Sequence, residues 1–354
     1  MEQYEDIAER YRRVNKSYPR KLIWRVGQQA GFFAEYSAML CAMIYCLDHR
    51  LQLQLYSANA NFGTGRGWGE YFRPFCKEVE DAFHEHYNVG AAPSWGHLLR
   101  TAWQQRSPRL LLWKCRQLYT GWKGRMIARR LYGEYVLLSD SVKSDYQKKY
   151  DFPELGLHGS FLEMFRVMAK ITWRMNGETS HAIEDIIAET GLQGESYVGC
   201  QVRGGDKVTE SQLIGSDEIA RNLLSVSNGE PVMVLTDDYR LFADLQRRYP
   251  ETAWHTLCTP AEQGYVNSAF TKTFPEEKHA QMVRFLATMR MLMDSRLFVG
   301  SITTGPSVFL MKMKYPAVKA VDCSENLLPD ILFTDIGRRA NVSKLFPLST
   351  CCLL

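Results

Sequence analysis

A chain of 354 residues, 45% apolar and 23% charged, is long enough for two domains of ordinary size and can build real cores, which excludes intrinsic disorder. Its formal charge of +4 neither demands nor excludes a polyanionic partner. The longest apolar stretch, Ala38 to Leu47, is far too short to span a bilayer, and the charged stretch from Met1 to Lys21 has no signal-peptide core, so the sequence reads as a soluble, cytoplasmic protein. Nine dispersed cysteines with no C-x-x-C pair read as reduced thiols, and no metal-ligand spacing occurs. The terminal Cys351-Cys352-Leu353-Leu354 has the form of a prenylation tail, but with no polybasic run beside it we read it as chance.

In chain order, Lys21–Val26 is a short strand, and the glycine-containing turn Gly27-Gln28-Gln29-Ala30-Gly31 leads into an apolar helix ending at His49. Leu51–Tyr56 is a second strand. His84-Glu85-His86 lacks a third metal ligand and reads as an exposed helix face. From about Trp95 to Asn176 the texture is helical. Residues 86–133 hold no Asp or Glu but nine Lys or Arg, interleaved with Trp95, Trp103, Trp113, Tyr119, Trp122 and Tyr132. Basic plus aromatic is a nucleic-acid composition. The run Leu110-Leu111-Leu112 in its middle favours helices whose aromatics face the core and whose arginines face water.

Beyond Ser196 strands alternate with helices. Strands are expected at Tyr197–Val202, Pro231–Thr236, Ala253–Leu257, Leu297–Ser301 and Ala317–Val321. Helices are expected from Ser216 to Val226, from Tyr239 to Arg248 and, apolar almost all round, from Glu277 to Arg296; a last one opens at Thr304-Gly305-Pro306-Ser307. This alternation implies a doubly wound parallel sheet. The expected division is an N-terminal α/β plus helical domain over 1–180 and a C-terminal Rossmann-like domain over 181–354.

Chemistry concentrates where the first strand of the C-terminal half ends. Arg203-Gly204-Gly205-Asp206-Lys207-Val208-Thr209-Glu210 carries a guanidinium, an ammonium and a carboxylate on a glycine-loosened loop. Loops at the C-terminal ends of such strands are where phosphorylated ligands bind. The planar fork of Arg203 suits a phosphate, and Glu210 can accept a proton. The loop is neither a G-x-x-x-x-G-K-[ST] nor a G-x-G-x-x-G motif, and alone it also fits an ordinary charged surface turn. Three further pieces accompany it: Gly27 to Gly31; Gly67-Trp68-Gly69-Glu70-Tyr71-Phe72-Arg73-Pro74; and Leu235-Thr236-Asp237-Asp238 with Val299-Gly300-Ser301-Ile302-Thr303-Thr304. Asp237 and Asp238 equally suit the N-cap and first turn of the helix that follows.

This set resembles the α1,6-fucosyltransferases that act on N-glycan cores and, more distantly, the bacterial nodulation fucosyltransferases. The family pattern H-V-R-R-T-D-K-V-G-T-E stands here as Gln201 to Glu210, one residue shorter before the Glu; G-W-x-x-x-F-R-P stands as Gly67 to Pro74, and T-D-D as Thr236 to Asp238. The resemblance runs from about residue 20 to 325 and implies a GT-B-like α/β fold, two Rossmann-type domains facing a cleft, the N-terminal one with a large helical portion. It implies inverting, metal-independent transfer of fucose from GDP-fucose to a glycan hydroxyl. Glu210 would be the base, Arg203 would stabilise the leaving diphosphate, and Lys207 would hydrogen-bond the base or the acceptor. Gly27, Gly31, Gln201, Arg203, Asp206, Asp237, Asp238, Ser301, Thr303 and Thr304 would form the donor site. The implied partners are a sugar-nucleotide donor and a glycan acceptor, with no resident cofactor or metal; from the sequence itself no nucleic-acid partner and no membrane span are expected. No D-x-D motif occurs anywhere in the chain, which agrees with a metal-free site.

The departures fall on donor contacts. The second arginine of the family is Gly204, its guanine-contacting histidine is Gln201, its guanine-reading carboxylate falls by spacing on Thr288, and its donor-site tyrosine falls on Ile219. Three alternatives therefore stand beside GDP-fucose: a different sugar nucleotide, a transferase fold that binds its donor without turnover, and a nucleic-acid-binding protein using residues 86–133.

Overall fold

The computed structural model describes residues 2–28, 30–90, 99, 109–204, 216–265, 267–270 and 272–333. The chain divides into two compact units, residues 1–29 with 35–174 and residues 30–34 with 175–354. Each unit is built on its own parallel sheet.

The first unit runs α1 (Glu2–Ser17), β1 (Arg20–Arg25), α2 (Phe32–Asp48), β2 (Leu51–Tyr56), β3 (Lys77–Glu78), α3 (His84–Tyr87), α4 (Arg109–Tyr132), β4 (Val136–Leu138), β5 (Lys149–Phe152), β6 (Leu157–Ser160) and α5 (Phe161–Thr172). Its sheet has the order β3-β2-β1-β4 with every pairing parallel. Leu22, Ile23, Leu53 and Leu55 are fully buried, as strands covered on both faces require. Gly27 ends β1 with φ 73°, and a Cβ there would stand 2.5 Å from that of Ala60, so only glycine fits this turn. In the Gly67 to Pro74 block, Gly67, Trp68, Glu70, Tyr71 and Phe72 are buried, while Gly69, Arg73 and Pro74 are exposed. Trp68 stacks on Phe72 at 4.3 Å and on Tyr36 at 6.1 Å, and its backbone N–H donates to Ser57 Oγ at 2.8 Å. Buried Glu70 accepts from the Thr64 N–H at 2.7 Å and from its hydroxyl at 3.0 Å.

Three expectations change here. The span read as helical contains β4 and the antiparallel pair β5–β6. In β5 only Tyr150 and Phe152 point inward, a period-2 signal too short to read, while β4 is three residues long and is held by pairing with β1. His84 is not on an exposed face but fully buried. Its Nδ1 accepts from Asn88 Nδ2 at 3.1 Å, so its Nε2–H donates to the Tyr132 hydroxyl at 3.1 Å, and that hydroxyl donates to Asp81. Burial pushes the His84 imidazole down to about 4. Finally, Tyr119 and Trp122 on α4 face solvent rather than the core, because the inward face of that helix holds Gly121, Gly124 and Ala128.

The second unit runs α6 (Gly177–Glu189), β7 (Val198–Gln201), α7 (Ser216–Ser227), β8 (Val232–Leu235), α8 (Tyr239–Arg248), β9 (Trp254–Thr256), α9 (Asn267–Phe270), α10 (Pro275–Asp294), β10 (Leu297–Gly300), α11 (Gly305–Lys314), β11 (Val318–Ala320) and α12 (Leu328–Phe333). All five expected strands are present, each within one residue of its expected ends. The sheet order is β11-β10-β7-β8-β9, all parallel. Every residue of β7 and β8 is buried. α10 is buried on most of its circumference, from Met282 to Leu292, as its all-round apolar pattern requires. The chain steps from β7 to β8 to β9 in one direction, then returns to lay β10 and β11 on the other side of β7. The direction reverses between β7 and β10, and the crevice at their C-terminal ends is the topological switch point where open α/β sheets take ligands. No helix among the described residues is long and apolar enough to cross a membrane.

Candidate active site

The switch point is closed by one hydrogen bond. Gln201, the last residue of β7 and only 7% exposed, accepts at Oε1 from the Thr304 hydroxyl at 2.5 Å. Thr304 is the N-cap residue of α11, yet its side chain makes no capping bond; it reaches across to β7 instead. The N-terminus of α11, with Pro306 in its first turn, therefore lies at the crevice. There the helix dipole and unpaired backbone N–H groups favour an anion.

The turn between β10 and α11 is held by a residue that sequence reading missed. Asp322, just beyond β11, accepts from the Ile302 N–H at 3.0 and 3.1 Å and from the Ser301 hydroxyl. Ser301 Oγ in turn accepts from the Thr303 N–H at 3.1 Å and lies 2.6 Å from Thr303 Oγ1. An acid directly after a predicted strand was the available signal. What makes Asp322 matter is the pairing of Gly300 with Ala320, which sets the ends of β10 and β11 side by side.

On the other side of β7, Arg203 and Asp237 meet beyond the ends of β7 and β8. Arg203 Nε lies 3.6 Å from Asp237 Oδ2, with both side chains less than one-fifth exposed. Asp237 Oδ1 accepts from the Gly204 N–H at 2.8 Å. One carboxylate thus faces the guanidinium as a close opposite charge and hydrogen-bonds the backbone at Gly204. Asp238 serves the fold. It caps α8 by accepting from the Arg240 N–H at 3.0 Å, and its two oxygens take Nε and Nη2 of Arg240 at 2.9 and 2.5 Å. These bonds hold its carboxyl below the usual range.

The second unit therefore brings together Gln201, Arg203, Asp237, Asp238, Ser301, Thr303 and Thr304. Asp206, Lys207 and Glu210 lie outside the described residues. Gly27 belongs to the first unit, where it shapes the turn after β1. Gly31 accepts from the Ala34 N–H at 3.0 Å at the opening of α2, with open space where a Cβ would stand. Thr288 is buried in α10 and donates its hydroxyl to the Arg284 carbonyl at 2.9 Å, and Ile219 is packed in the core.

No protein-family model and no curated protein sequence matches this chain. Among solved structures, the α-1,6-fucosyltransferase NodZ soaked with GDP-fucose is 13% identical with a TM-score of 0.50, over 83% of this chain and 92% of that one. NodZ from Bradyrhizobium is 12% identical with a TM-score of 0.48, over 82% of this chain and 92% of that one. FUT1 of Arabidopsis thaliana in complex with GDP is 12% identical with a TM-score of 0.45, over 90% of this chain and 77% of that one. At this level of identity the first of these likenesses establishes the fold. The chain is an α/β protein of the GT-B kind, with two Rossmann-type units.

Proposed function

We propose that this chain is an inverting glycosyltransferase that takes fucose from GDP-fucose and needs no metal. The observation that carries the reading is the C-terminal edge of the second sheet: Arg203 braced by Asp237 on one side of β7, and the Ser301–Thr304 turn with the α11 N-terminus on the other. Displacing a nucleoside diphosphate requires its growing negative charge to be neutralised, and a guanidinium, backbone N–H groups and hydroxyls supply what a divalent metal supplies elsewhere. NodZ, which shares the fold, was soaked with GDP-fucose, and this supports the choice of donor. In the reaction an acceptor hydroxyl attacks the anomeric carbon on the face opposite the leaving group, Glu210 takes its proton, and GDP departs toward Arg203. Lys207 would hold the base or the acceptor oxygen.

The test is calorimetry with EDTA present, followed by turnover. Arg203→Ala should weaken GDP binding at least tenfold, since the guanidinium that would meet the diphosphate is removed. Glu210→Gln should bind GDP as the parent does and transfer nothing; full turnover in Glu210→Gln removes the base assignment. A second reading, a sugar nucleotide with another base, is favoured by Thr288, whose buried, back-bonded hydroxyl leaves no carboxylate there to read guanine. Binding of UDP with GDP silent would select it.

A further inference from the structure

α4 is built inside out. Its inward face carries small residues, Gly121, Gly124 and Ala128, together with Lys114. A Cβ on Gly124 would stand 2.5 Å from the Tyr87 carbonyl oxygen, so the helix backbone lies directly on α3. Its large apolar side chains face out. Leu112 is 70% exposed, Tyr119 59%, Trp122 54% and Met126 53%, and with exposed Cys115 they recur at spacings of three and four, one stripe along the helix. Four of the ten large apolar side chains that stand exposed among the described residues, Leu112, Tyr119, Trp122 and Met126, fall on this one stripe, so it is a patch rather than the usual scatter. Arg109, Arg116 and Arg130 border it on one side and Arg129 on the other, all exposed. No acidic residue occurs between positions 86 and 133.

We propose that this face of α4 docks on a membrane surface bearing anionic lipid. A second copy of the helix would set Arg116 and Arg130 against like charges across the seam. A nucleic acid would meet the cations, and Tyr119 and Trp122 could stack on bases, but it has no complement for Leu112 and Met126 along a convex helix. An anionic bilayer satisfies both halves: the apolar stripe enters the boundary between headgroups and acyl chains, Trp and Tyr sit at the interface, and the arginines meet phosphate and carboxylate. The inference is independent of the sugar-nucleotide site.

The test is flotation of the full chain with vesicles of phosphatidylcholine alone and of phosphatidylcholine mixed with phosphatidylserine. The chain should float with the mixed vesicles, poorly with phosphatidylcholine, and less as salt rises. Trp122→Glu with Met126→Glu should abolish flotation. Arg116→Ala and Arg130→Ala should each weaken partitioning about fivefold. Circular dichroism and melting should match the parent, since all four positions are exposed. The proposal is overturned if the chain stays at the bottom of the gradient with anionic vesicles, or if Trp122→Glu with Met126→Glu floats as the parent does. It is equally overturned if those two substitutions instead dissolve a dimer seen in sedimentation or abolish binding to single-stranded RNA.

Discussion

Replacing Asp322 by alanine isolates what holds the donor turn. The carboxylate takes two donors, the Ile302 N–H shared between its oxygens and the Ser301 hydroxyl, and through Ser301 it steadies the Thr303 N–H. A hydrogen bond to a charged acceptor is worth about 1.5–3 kcal/mol, and Asp322 is only half-buried, so water takes over part of its role. We expect Asp322→Ala to cost about 2 kcal/mol in the order of this turn. If GDP binds the ordered turn, that cost appears as roughly 30-fold weaker binding, at about 1.4 kcal/mol per tenfold. Asp322→Asn keeps an acceptor for Ile302 and should lose about fivefold. The assay is GDP titration calorimetry with EDTA, beside a melting curve for each variant. Asp322→Ala binding GDP as tightly as the parent would refute the role of this residue. A parent that binds no GDP would refute the nucleotide reading itself, which is a separate result.

Three further substitutions test the packing around the site and the first unit. Gly300→Ala would place a methyl 2.1 Å from Ser307 Oγ and 2.8 Å from the buried Phe298 ring. It should lower the urea midpoint by the equivalent of about 1–3 kcal/mol, and an unchanged midpoint would contradict the packing described. Gly204→Arg, which restores the second arginine of the resembled family, starts from a Cβ 3.0 Å from that of Asp238 and 3.3 Å from Leu241 Cδ1. It should destabilise the second unit by about 1–2 kcal/mol without tightening GDP binding, and tighter binding at unchanged stability would show that the loop has room. His84 is held neutral by burial, with its imidazole at about 4. Above about pH 6.5 both folded and unfolded chains carry it uncharged. As the pH falls toward 4 only the unfolded chain takes the proton, so stability should fall through that window. The unfolding free energy of His84→Gln should depend less on pH there, and equal slopes in parent and variant would remove the assignment.

The second unit was legible because its strands are apolar runs bounded by turn residues, and its helices carry proline, glycine and acidic boundary signals. Its buried sheet followed from alternation alone, whereas the site followed only in part. Arg203 and Asp237 stand out as charges after strands, but their meeting requires β7 and β8 to be neighbours in register, with Gln201 opposite Leu235. Asp322 is further from reach, since it acts on a turn twenty residues earlier through the pairing of β10 with β11.

Gly204 shows the same gap from the other side. By resemblance it is a missing cation, whereas in the fold its backbone lies so close to Asp238 that a Cβ would stand 3.0 Å from that residue's own, and the Asp238 carboxylate is already committed to capping α8 and to Arg240. The inverted face of α4 has a like cause. A window of composition counts aromatics and arginines but does not register that Gly124 must lie against the Tyr87 carbonyl. Once the small residues are drawn inward by that contact, helical spacing sends Leu112, Tyr119, Trp122 and Met126 outward. The residues that composition assigns to a core become the surface, and the surface acquires a chemistry that its net charge of +4 does not announce.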